Sequence, residues 1–219
     1  MSMPYVAPPD NGLDLVYLDE ALLIVNKPAG LLSVPGRGED KQDCLISRVQ
    51  REYPEVLSVH RLDMSTSGLM ILARSKALER EMSILFQQRQ VHKRYTAVVT
   101  GRPEPESGEI DLPLITDWPN RPRQKVDHDI GKPSLTRYRV SGFDPVQHSS
   151  RMELEPVTGR SHQLRVHLMA LGHAILGDEL YATAEVHAQS ERLLLHAMSL
   201  RFAHPLSGDT LSIESSVPF

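Results

Sequence analysis

The chain has a single cysteine, Cys44, in 219 residues. An intramolecular disulfide is therefore excluded, as is any CxxC metal or redox motif, and a reducing, cytoplasmic setting is expected. No apolar run approaches the ~18 residues that suggest a membrane span. The opening stretch MSMPYVAPPDNG lacks both the basic n-region and the apolar h-region of a secretory signal. A soluble protein with no membrane partner follows as the expectation. GxGxxG, GxSxG and HExxH are also missing, which removes the signatures of dinucleotide binding, a nucleophile elbow and a zincin site.

The composition is that of an ordinary globular protein, 40% hydrophobic and 24% charged. No long linker or repeat marks a second domain, so residues 1–219 are expected to form one. A formal net charge of -4 argues weakly against nucleic acid when averaged over the chain, but binding depends on where the charges lie. Residues 74–95 carry six Lys/Arg against two Glu, and residues 118–139 carry six against two Asp. Each segment has a local positive surplus, whether as a solvated face or as an RNA contact.

LVYLD (15–19) and LLIVNKP (22–28) read as an opening hairpin after an extended, proline-bearing start. Asp43 is placed to cap a short helix over CLISRVQREY that Pro54 ends. GLMILAR (68–74) is a buried strand, and Ser75 caps a helix to about Gln90 with Leu78, Met82, Leu85 and Phe86 on one face. RYTAVVTG (94–101), SLTRYRVSGF, RMELEPV, LLLHAMSLRFAHP and TLSIES are further strands, with 101–134 mainly loop carrying at most short strands. Ser161 is expected to cap HQLRVHLMAL, with Gly172 at its C-terminal end. Strands outnumber helices without regular alternation, which defines an α+β fold with a largely antiparallel sheet.

One carboxylate stands out in this framework. Asp63 closes His60-Arg61-Leu62-Asp63, ahead of the small, hydroxyl-rich MSTSGL. Extended geometry sends Arg61 and Asp63 to one side and His60 and Leu62 to the other. A neighbouring guanidinium favours the ionised form, as a structural ion pair or as a reactive group. TGRSHQLRVH (158–167) brings Arg160, His162, Arg165 and His167 to a helix start with no acid between Arg160 and Gly177. Such a positive terminus suits phosphate or a buried carboxylate, and Asp63 is a candidate partner for Arg165. Tyr95, beside Lys93 and Arg94, is either strand packing or a stacking surface for a base. The histidines lack metal-ligand spacing, so no metal is expected.

VNKPAGLLSVPG, HRLDMSTSGL, HKRYTAVV, TGRSHQLRVH, LGDELY and LLLHAMSLRFAHP, taken in this order, resemble the motifs of the RluA-type pseudouridine synthases over nearly the whole chain. The length, together with PLITDWPNRPRQKV and GKP (131–133), is similar to the family's short branch without an S4-like domain, whose dual specificity covers 23S rRNA and the tRNA anticodon stem-loop. The resemblance implies a mixed sheet with flanking helices and loops and a central cleft. It also implies isomerisation of uridine in structured RNA loops: the N1–C1′ bond breaks, the base turns, and C5 joins C1′, without cofactor or metal.

By the same resemblance Asp63 is the nucleophile, with covalent attack and glycal formation both open, Arg165 pairs with its carboxylate, and Tyr95 stacks on the uracil. Arg61 fills the space of the extruded base. His60, Arg121, Arg123, Lys125, Arg160 and His162 are expected at the RNA. A cytoplasmic monomer whose partner is rRNA or tRNA follows. The alternative is a non-catalytic RNA-binding or RNA-folding module using the same basic cleft.

Overall fold

The computed structural model describes residues 5–219, so the first four residues of the expected extended start lie outside the described residues. Its contacts group into two compact units. One runs to His92 and includes Ala197–Val217; the other comprises Lys93–His196 with Pro218 and Phe219.

The first unit opens with the expected hairpin, β1 (Leu15–Leu18) antiparallel to β2 (Leu22–Lys27). Its turn is held by the Asp19 carboxylate, which accepts from the N–H groups of Ala21 at 2.8 Å and Leu22 at 2.7 Å. Helix α1 (Leu45–Gln50) is capped differently from the expectation: the N-cap is Cys44, whose N–H donates to Ser47 Oγ at 3.0 Å. Asp43 is occupied instead by Arg48, receiving Nε and Nη2 at 2.8 Å each. That charge-assisted fork is stronger than a neutral cap bond, and it holds the Asp43 carboxyl below its usual range.

After the two-residue β3 (Leu57–Ser58) comes β4 (Ser67–Ala73), buried at every position and antiparallel to β2 and, at its end, to β3. Helix α2 (Lys76–Gln87) starts at Ser75, whose Oγ accepts from Leu78 N–H at 3.3 Å. Leu78 and Met82 pack on Leu22, Ile24, Leu69 and Ile71, while Leu85 and Phe86 close the edge of the same core.

The second unit is an antiparallel sheet. Within it β5 (His92–Thr100) pairs with β10 (Ser149–Pro156), β10 with β9 (Leu135–Asp144), and β9 with β6 (Ser107–Asp111). A separate hairpin joins β7 (Leu114–Thr116) to β8 (Gln124–Val126), and with β6 these are the short strands of the 101–134 stretch, which is otherwise loop as expected. Helix α3 (Gln163–Ala170) covers the sheet through Leu164 and Leu168, which pack on Ala97, Met152 and Leu154. Its N-cap is His162 rather than Ser161. His162 takes a left-handed φ of 54° and offers no side-chain cap. At the other end Gly172 (φ 90°) closes a Schellman motif: its N–H bonds to Met169 O and that of His173 to Leu168 O, each at 2.9 Å. A single turn, α4 (Ala184–His187), follows.

The chain ends with β11 (Leu195–Ala203) and β12 (Thr210–Glu214), antiparallel to each other, with Leu200 and Phe202 in the first unit's core. Gly68 on β4 has φ 115°, and a Cβ there would stand 2.3 Å from Ala197 O, so only glycine fits. Every strand pairing described within each unit is antiparallel, and helices are few: the fold is α+β, as expected. Among the described residues no helix is long and apolar enough to cross a membrane.

Candidate active site

The HRLD segment links β3 to β4 in the first unit. Leu62 is buried and Arg61 exposed, while Asp63 is half-buried. Both backbone polar groups of Leu62 are gripped by one side chain: Ser33 Oγ donates to Leu62 O at 2.7 Å and accepts from Leu62 N–H at 3.0 Å. Asp63 O then accepts from Thr66 N–H at 3.1 Å, closing a tight turn. Met64 O receives Gly30 N–H at 2.9 Å and Lys27 Nζ at 3.0 Å.

Lys27 is 1% exposed and also donates to Pro28 O at 2.9 Å and Leu31 O at 2.7 Å. A buried ammonium must be hydrogen-bonded, and these carbonyls tie the VNKPAGLL loop to the Asp63 turn. His60 Nε2 accepts from Ile71 N–H at 2.9 Å, and its ring stacks on Phe86 with centroids 4.6 Å apart. His60 thus anchors the segment to β4 and α2.

The second site segment is α3. Gln163 knits it to its surroundings: Oε1 accepts from Thr158 Oγ1 at 2.7 Å and Arg160 N–H at 3.0 Å, while Nε2 donates to Leu135 O at 2.9 Å and Thr136 Oγ1 at 3.0 Å. His167 is fully buried. Its Nε2 donates to Leu112 O at 3.0 Å, so Nδ1, 2.9 Å from Thr136 Oγ1, is the acceptor of a neutral ring. Burial pushes the His167 pKa down.

Arg165 meets Asp178 in a two-pronged pair, Nε to Oδ2 at 2.8 Å and Nη2 to Oδ1 at 2.7 Å, with 3% and 1% of the two side chains exposed. Asp178 Oδ1 also accepts from the N–H groups of Leu180 at 2.9 Å and Tyr181 at 3.1 Å. The Arg165 guanidinium lies 5.1 Å from the Tyr181 ring centre, and the Tyr181 hydroxyl is 2.6 Å from His162 Nδ1. Arg123 lies over the same ring at 5.5 Å. The structure thus gathers Arg123, His162 and Arg165 around Tyr181.

Sequence reasoning offered Asp63 to Arg165 and missed Asp178, Tyr181, Gln163, Ser33 and Lys27. LGDELY held the signal for the first two: an acid and an aromatic among apolar residues just after a glycine, downstream of a helix without acids.

The remaining candidates are on the second unit too. Tyr95 is half-buried on β5 opposite Leu154, and Arg94 beside it is exposed. Burial lowers the pKa of Lys93, whose Nζ lies near Gly159 of the TGR turn. Arg160 is exposed and its Nε reaches Pro133 O at 3.4 Å. Arg121, Arg123 and Lys125 are exposed on the β7–β8 hairpin, with Lys125 3.4 Å from Asp127. Among the described residues no group of three or more His, Cys, Asp or Glu is arranged to hold a metal ion.

An α+β chain with a clamped HRLD turn and a buried arginine on GRxHQLRxH defines a class that comparison with known proteins identifies. A family model described as RNA pseudouridylate synthase matches residues 21–170, and the chain belongs to that family. Among individual relatives, the dual-specificity RNA pseudouridine synthase RluA of Escherichia coli (strain K12) is 49% identical over 215 residues, covering 98% of each chain. The enzyme of the same name from Vibrio parahaemolyticus serotype O3:K6 is 54% identical over 208 residues, 94% of this chain and 83% of that one. Human RNA Pseudouridylate Synthase Domain Containing 1 superposes with a TM-score of 0.80 at 30% identity, covering 98% of this chain and 87% of that one.

Proposed function

We propose that this pseudouridine synthase isomerises uridines in structured loops of 23S rRNA and of the tRNA anticodon stem, with residues 1–219 acting as one catalytic domain of a cytoplasmic monomer. The observation that carries the reading is the HRLD turn itself: a half-buried carboxylate whose flanking main chain is held by Ser33 and Lys27, in a chain that matches dual-specificity relatives nearly end to end.

Asp63 is the nucleophile. On the covalent route its carboxylate oxygen bonds to C1′ as N1–C1′ breaks. The freed uracil turns, C5 bonds to C1′ as the carboxylate leaves, the C5 proton departs to solvent, and N1 takes up a proton from solvent. Atoms are conserved, so no cofactor or metal is called for. Tyr95 stacks on the uracil and assists removal of the C5 proton. Arg165, fixed by Asp178, supplies a positive charge that pairs with the Asp63 carboxylate and orients it. Arg61 takes the place of the extruded base and contacts the backbone. His60 acts by holding the turn, while Arg121, Arg123, Lys125, Arg160 and His162 face the phosphates.

The test is tritium release from transcripts carrying [5-³H]uridine, one a 23S rRNA stem-loop set and one a tRNA anticodon stem-loop. Release from both is expected. Release from neither, with RNA demonstrably bound, would leave a non-catalytic RNA-binding module instead.

A further inference from the structure

The chain contains one tryptophan, Trp118, and 65% of it is exposed. Tryptophan is large and on average well buried, so an exposed ring on an ordered tip calls for a reason. Trp118 starts a one-turn 3-10 helix (Trp118–Asn120) between β7 and β8. The tip is cross-braced: Asp117 N–H bonds to Arg123 O at 2.9 Å, Asn120 N–H to Asp117 O at 3.0 Å, and Arg123 N–H to Asn120 O at 3.1 Å. The Asn120 amide adds a bond to the Asp117 carboxylate at 2.8 Å.

Arg121 places its guanidinium 4.7 Å from the centre of the indole. One face of the ring is thus backed by a cation, while 65% of the residue stays exposed. The hairpin is fixed below by Gln124 N–H on the Tyr181 hydroxyl at 2.8 Å and by Arg123 over the Tyr181 ring. Tyr181 is also the ring under Arg165. An open aromatic face therefore sits on a rigid hairpin that shares its anchor with Arg165.

We propose that Trp118, backed by Arg121, is a stacking platform for an unpaired base of the substrate RNA, distinct from the reacting uridine. The proposal rests on the RNA-modifying reading above. Charge favours RNA as the occupant: Arg121 lies over the ring and Arg123 and Lys125 are exposed on the same hairpin, while Asp117 is engaged by Asn120. Asp127 caps the N–H groups of Asp129 and Ile130 at 3.1 Å each. A cation on one face of an aromatic ring and a base on the other also join two favourable contacts of one π system. Every base has a π face, so stacking tolerates sequence differences. That tolerance suits an enzyme serving more than one loop.

Because Trp118 is the sole tryptophan, the protein's tryptophan emission reports this residue alone. The full chain carrying Asp63→Asn, in which conversion of the substrate is expected to be lost, is titrated with an anticodon stem-loop and with a fully paired duplex of equal length. Binding is followed independently by anisotropy of dye-labelled RNA. The stem-loop should quench Trp118 and shield it from acrylamide in step with anisotropy, whereas the duplex should leave emission unchanged.

In the otherwise wild-type enzyme, Trp118→Ala should weaken stem-loop binding about tenfold and raise KM by the same factor with kcat altered less than about twofold. Trp118→Phe should recover part of the loss. Stem-loop binding with unaltered emission and acrylamide access, wild-type affinity in Trp118→Ala, or no RNA binding would each overturn the platform. Quenching by RNA in a protein that releases no tritium would instead sink the catalytic reading and leave the platform standing.

Discussion

The Asp63 turn and the Arg165 helix carry opposite charges and are held in opposite ways. At Asp63 the grip falls on the neighbours: Ser33 fixes the backbone of Leu62, and Lys27 and Gly30 fix the carbonyl of Met64. At Arg165 the grip falls on the side chain itself, which Asp178 takes by two prongs in a buried setting. The difference matches the proposed division of labour. A nucleophile exchanges partners during a reaction, so it is best aimed through its main chain. A charge that stabilises without reacting works best when it does not move. Burying the Arg165–Asp178 pair is expensive in desolvation and need not add net stability; its value is position.

The largest effect is expected at Asp178. Asp178→Ala leaves a buried guanidinium without its two-pronged partner and exposes two N–H groups to the same loss, so the protein should be destabilised by about 4 kcal/mol. Urea denaturation followed by far-ultraviolet circular dichroism measures this, and a change under ~1 kcal/mol would mean that other groups hold Arg165.

Acid should act next, and on the Arg165 side. His167 and His196 both belong to the second unit and are buried; burial, with Arg192 nearby, takes His196 down to about 4. An unfolded imidazole titrates near ~6.5. Between these values the unfolded chain binds more protons, so stability is complete above ~6.5 and falls as pH drops towards 4. His196 alone accounts for about 3 kcal/mol over that window. Denaturation across pH should show this slope, flattened in His196→Gln; an unchanged slope would contradict it.

The smallest of these effects is sought on the Asp63 side. Ser33→Ala removes both bonds to Leu62 and should cost about 1–2 kcal/mol. Turnover should fall by more than that loss of folded protein explains, because the turn loses its aim. Full turnover in Ser33→Ala would show that Lys27 and the Thr66 bond suffice.

Much of this was legible in the amino-acid order. The buried β4 is an apolar run from Gly68 onward, α2 has Leu78 and Met82 at helical spacing behind Ser75, and Gly172 ends α3 where a left-handed residue is needed. What escaped were choices between local competitors. Asp43 reads as a cap until Arg48, five residues on, claims its carboxylate. Ser161 reads as a cap until His162 turns left-handed and starts the helix one residue later.

At the candidate site, Asp63, Tyr95 and Arg165 are proposed from the motifs they stand in, which the sequence displays directly. Asp178 was not legible, since a pair thirteen positions apart across a turn leaves no periodic trace. Ser33 and Lys27 act on backbone carbonyls and amides, which have no sequence identity to match. Their role emerges only once Leu62 and Met64 are placed beside them.

In the proposed reaction the clamped turn presents Asp63 as the reacting carboxylate. Asp63→Asn keeps size and the backbone bonds of the turn while removing the charge. Tritium release from [5-³H]uridine RNA should disappear in this variant, with thermal stability and RNA affinity close to wild type. Release at a wild-type rate from the folded, RNA-bound variant would contradict the account.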